Sequence, residues 1–79
     1  MKTLTAIFRF TKNETLQSMV RECKTKAQFT EDLRKSGFVV VAVLTDEDIK
    51  KYQAMSETDA IYKGRNATVV REYCQQVFY

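Results

Sequence analysis

The run Phe38-Val-Val-Val-Ala-Val-Leu44 constrains this chain most. Seven apolar residues fall far short of the roughly 20 that a membrane-spanning helix requires, and their β-branched content suits an extended strand. The run is apolar at odd and even positions alike, so both of its faces need cover, from the protein itself or from a partner on one side. Such a strand does not stand alone. The rest of the chain has to supply neighbours for its edges and layers for its faces.

Two segments offer edges. Leu4, Ala6, Phe8 and Phe10 alternate with Thr3, Thr5, Ile7 and Arg9, the pattern of a half-buried strand. Lys12-Asn13-Glu14 supplies polar turn residues. Residues 15–23 then alternate again, with Leu16, Ser18 and Val20 on one side and Gln17, Met19 and Arg21 on the other. The spacing predicts a β-hairpin. A helix over 14–23 is the competing reading, because Glu, Leu, Gln, Met and Arg all favour helices.

Three segments offer layers. Thr25 can cap a helix over 26–36 whose apolar positions Ala27, Phe29 and Leu33 include an i, i+4 pair, and Ser36-Gly37 ends it. Thr45-Asp46-Glu47-Asp48 combines a hydroxyl cap with first-turn acids, which suit the helix dipole, so a second helix starts near Asp46. Ser56-Glu57-Thr58-Asp59 reads as a further cap and break, and the pattern leaves 56–65 open. From Asn66 onward Ala67, Val69, Val70, Tyr73, Cys74, Val77 and Phe78 recur at steps of three and four, the stripe of an amphipathic C-terminal helix.

The order β-β-α-β-α-α defines an α+β domain. A helix between the second and third strands lets the third lie beyond the first, giving an antiparallel sheet of order 2-1-3 packed against helices. The first helix is expected over the face carrying Leu4, Ala6, Phe8, Phe10, Leu16 and Val20. The C-terminal helix either joins it or covers the opposite face. With 79 residues, the expectation is one small domain, 1–79, with a thin core.

The residue inventory argues against an enzyme. The chain has no histidine, hence no Ser-His-Asp or Cys-His pair and no side chain that ordinarily titrates near neutrality. Its paired carboxylates, Glu31-Asp32, Asp46-Glu47-Asp48 and Glu57 with Asp59, sit where helix starts or solvated faces account for them. Cys23 and Cys74 are too few and too far apart for a zinc site, and no phosphate-binding glycine loop is present. No cofactor and no metal is expected. Two cysteines without a disulfide framework, an apolar start broken at Arg9 and the lack of a long apolar stretch point to free thiols and a cytoplasmic protein without membrane contact.

Two interaction readings remain. Residues 1–37 hold eight Lys or Arg against four acids, whereas 38–79 hold five against six. Arg9 and Arg21, read as sharing one face of the hairpin near Lys12, Lys24 and Lys26, could track a phosphate backbone. This nucleic-acid reading is the alternative. The leading one is a protein-binding surface made of Ile7, Met19, Val39, Val41 and Val43 on the sheet face away from the first helix, where a partner or a second copy of the chain would dock.

Residues 3–48 carry a TAIFRF first strand, a polar turn, a second strand, a capped short helix ending in SGF, then VVVAVL and a TDED cap. In this order the chain resembles the small hairpin-helix-strand accessory proteins of Gram-positive phages and mobile elements. The resemblance implies an accessory role, such as binding or blocking a host protein, and transfers no functional residue.

Overall fold

β1 (Lys2–Arg9) is the central strand of a three-stranded sheet, pairing antiparallel with β2 (Gln17–Cys23) on one side and β3 (Val39–Leu44) on the other. The computed structural model describes residues 1–11 and 15–78, and the chain divides into two units, Met1–Asp46 and Glu47–Tyr79. The sheet and α1 (Lys26–Lys35) make the first unit. The second holds nearly all of α2 (Asp46–Ala54), together with α3 (Glu57–Lys63) and α4 (Arg65–Val77). The α+β class and the strand order 2-1-3 are as expected, and the segment left open contains α3. The expected turn Lys12-Asn13-Glu14 lies outside the described residues.

α1 is held at both ends by the chain's own polar groups. The Thr25 hydroxyl accepts the Gln28 N–H at 3.1 Å, satisfying one of the unpaired donors of the first turn. At the other end Gly37 takes a φ of 89°, which costs a residue with a Cβ far more than it costs glycine. Its N–H reaches the Arg34 carbonyl at 2.9 Å, while the Phe38 N–H reaches that of Leu33 at 3.1 Å, a Schellman closure. That turn feeds the chain directly into β3. Between the caps, Phe29 and Leu33 bury one side of α1 against Leu4, Ala6, Phe8 and Cys23, with Met19, Phe38, Val40 and Val43 packed around them. Each fully buried Phe or Leu there contributes about 1.5–3 kcal/mol.

Pairing register corrects the face assigned to β2. Leu4 stands opposite Arg21, Ala6 opposite Met19 and Phe8 opposite Gln17, and directly opposed residues share a face. Met19 and Arg21 therefore lie on the α1 side, whereas Ser18 and Val20 point away from it, the reverse of the expected set. Val20 is 63 % exposed. Arg21 sits on an apolar face without leaving water, because its guanidinium lies 5.3 Å from the Phe29 ring centroid and caps the core's edge. The strand also starts later than expected: Leu16 precedes it, half-buried.

β3 is bulged. Ile7 pairs with Ala42 but Phe8 with Val40, so Val41 is an extra residue in the ladder. The bulge lets Val40 and Val43, three apart, both face α1. Phe10 falls just past β1 at 43 % exposure, its ring edge-on to Phe8 at 5.8 Å and to Phe38 at 5.0 Å. It finishes the core's rim instead of filling its centre.

The helical unit is joined by side chains that cap backbone. Ser56 accepts the Asp59 N–H at 3.2 Å, starting α3. Gly64, at φ 119° and ψ 178°, ends α3 and starts α4 in a conformation open essentially to glycine alone. Gln53 of α2 donates to the carbonyls of Cys74 and Phe78, and Gln75 of α4 donates back to the Gln53 carbonyl at 3.3 Å. Arg71 Nε donates to the Met55 carbonyl at 2.7 Å. These bonds satisfy carbonyls that the last turns of α2 and α4 leave without helical partners. Along α4 the expected stripe holds up to its last turn: Ala67, Val70 and Cys74 are buried and Val69 and Tyr73 half-buried, whereas Val77 is exposed.

Candidate protein-docking surface

The five residues expected to share one sheet face do not. Ile7 and Val39 lie on the side away from α1, yet Ile7 is 0 % exposed and Val39 37 %. Met19 and Val43 lie on the opposite side, packed against the α1 core, and Val41 occupies the bulge. Two causes combine: the β1–β2 register puts Met19 opposite Ala6, since a one-residue shift in pairing exchanges the two faces of a strand, and the bulge at Val41 puts Val39 and Val43 on opposite sides of the sheet. The exposed apolar residues of the sheet are instead Val20 and Val39.

The basic cluster is divided in the same way. Arg9 follows Phe8 on β1 and so points away from α1, while Arg21, opposite Leu4, points toward it. This overturns the shared arginine face. Arg9 Nε is buried without a hydrogen-bond partner, and Arg21 Nη2 donates weakly to the Met19 sulfur at 3.5 Å. Lys24 and Lys26 are exposed around the start of α1. Lys12 lies outside the described residues.

A second surface arises where sequence periodicity is silent. Ala60 is the buried residue of α3, and the following Ile61 and Tyr62 turn outward, at 64 % and 87 % exposure. Tyr62 borders an open groove of about 540 Å³ lined also by Lys51, Ala54, Met55, Asp59 and Lys63. Met55 and Ala54 give it apolar walls, and its charged lining is two lysines and one aspartate. The signal that locates it in the sequence is the Ser56 cap: once α3 starts at Glu57, a buried Ala60 places Ile61 and Tyr62 on the outer arc.

Both cysteines are free and buried. Burial pushes the Cys74 thiol up from 9.0 to about 11, so at neutral pH it is a neutral, unreactive core group. Among the described residues no three His, Cys, Asp or Glu side chains gather as a metal-binding group, and no helix is long and apolar enough to cross a membrane. No family model, no curated protein and no solved structure matches the chain.

Proposed function

We propose that this chain is a non-enzymatic, cytoplasmic protein-interaction module that uses the α2–α3 groove to hold a partner segment bearing an apolar side chain flanked by carboxylates. The observation that carries the reading is Tyr62, 87 % exposed beside Ile61 and Met55, with Lys51 and Lys63 on the rim. Tyrosine is among the residues that concentrate binding energy at interfaces. Ile61 and Tyr62 side by side form an exposed apolar patch of the kind that marks interaction sites. The two lysines against the single Asp59 favour an acidic partner segment and make its capture faster at low salt. The free thiols of Cys23 and Cys74 suit a reducing compartment. The resemblance of residues 3–48 to accessory proteins of phages and mobile elements supports a host protein as that partner.

A photo-crosslinking amino acid at position 62, with one at exposed Lys24 as control, tests it. The expected result is one protein joined from 62 and not from 24, lost when Met55→Ser and Lys63→Glu are added and weakened by salt. Equal crosslinking from both positions, or capture that ignores Met55 and Lys63, overturns the reading.

A further inference from the structure

Among the described residues β2 ends the sheet, with β1 as its hydrogen-bonded neighbour. Among the described residues no strand lies on its other edge, to which alternate residues of Gln17–Cys23 direct their backbone donors and acceptors. Proteins usually blunt such an edge with lysine, proline or a bulge. β2 has no lysine, proline or bulge: its seven residues pair with β1 in unbroken register, and its edge is guarded by the charges of Arg21 and Glu22 alone, exposed beside Val20. The opposite edge strand, β3, is interrupted by the bulge at Val41.

We propose that β2 pairs antiparallel with β2 of a second copy, about a two-fold axis through Val20, to make one continuous six-stranded sheet. The register follows from length and charge together. A two-fold axis normal to a sheet passes through a residue that faces its own copy. With the axis at Val20, all seven residues are matched. Val20 meets Val20 of the second copy, Ser18 meets Glu22, Met19 meets Arg21, and Gln17 meets Cys23. Ser18 can donate to the Glu22 carboxylate, and Met19 with Arg21 repeats across the seam a contact that β2 already makes within itself at 3.5 Å. Moving the axis to Arg21 or Glu22 opposes like charges directly, which destabilises a sheet. Moving it to Met19 strands Glu22 and Cys23 without partners. The self-matching register makes a second copy the occupant, and the seam uses none of the residues that line the groove beside Tyr62.

Light scattering over a concentration series tests the seam. Wild type is expected to reach twice the monomer mass at high concentration, with β2 amides gaining hydrogen-exchange protection as it does. Val20→Lys places two ammonium groups face to face and weakens the dimer by about tenfold or more. Val20→Glu does the same, and an equimolar mixture of the two variants restores the dimer by pairing Lys with Glu. A wild type that stays monomeric, a dimer whose β2 amides gain no protection on assembly, or a Val20→Lys dimer as tight as wild type overturns the proposal.

Discussion

At the scale of single residues, side-chain chemistry departs most from its usual reading at Arg21 and Cys74. Arg21 is charged and exposed, yet it belongs to the core's margin, because its planar guanidinium spreads over Phe29 while its stem covers apolar surface. Cys74 is the converse, a reactive residue type made inert by burial. Its thiol stays neutral up to about pH 11 in the folded chain, whereas an unfolded thiol ionises near 9.0. The neutral form is the one the fold favours, so the stability tied to Cys74 is fully present below about pH 9 and is lost as pH rises toward 11. Urea unfolding across that window is expected to show a steeper decline for wild type than for Cys74→Ala. Parallel declines would show that another group sets the slope.

At the scale of elements, the register between β1 and β2 decides which side chains the core receives. Met19 stands on the α1 side and Val20 on the other, 63 % exposed. Replacing Met19 by a short carboxylate removes its packing against the α1 core and partly desolvates a charge there, a loss that the neighbouring Arg21 offsets only in part. Met19→Asp is therefore expected to destabilise the chain by at least about 2 kcal/mol, and Val20→Asp, measured in dilute solution, by about 0.5 kcal/mol or less. Denaturant titration of both variants reads the difference. The reverse order would restore the face assignment that alternation alone suggests.

At the scale of the whole molecule, β1 is the strand on which the sheet depends. It pairs on both sides and contributes Leu4, Ala6, Ile7 and Phe8 to the buried set. Local opening exposes edges and ends before it exposes a doubly paired strand. Native-state hydrogen exchange is accordingly expected to find the slowest amides in β1, with those of α3, a seven-residue helix, exchanging faster. Amides of α3 protected as well as those of β1 would show that the helical unit, and not the sheet, opens last.

Much of this architecture is written locally in the chain. The Thr25 hydroxyl, the Ser36-Gly37 stop, the Ser56 cap and the three-four spacing along α4 each act within a turn or two. Short-range hydrogen bonding and side-chain periodicity are enough to place the helices. The strands and their order follow from alternation and from the single helix that returns the chain between β2 and β3. The faces of β2 do not. They depend on the pairing register with β1, and a shift of one residue in it sends Met19 and Arg21 inward and Val20 out at no local cost. The bulge at Val41 likewise exists only against β1, since an extra residue has meaning only in a ladder. The candidate surfaces were hidden for the same reason. Alternation in β2 names two equivalent faces, and α3 is too short for its periodicity to single out Ile61 and Tyr62. Pairing and packing between distant residues decided what was left at the surface.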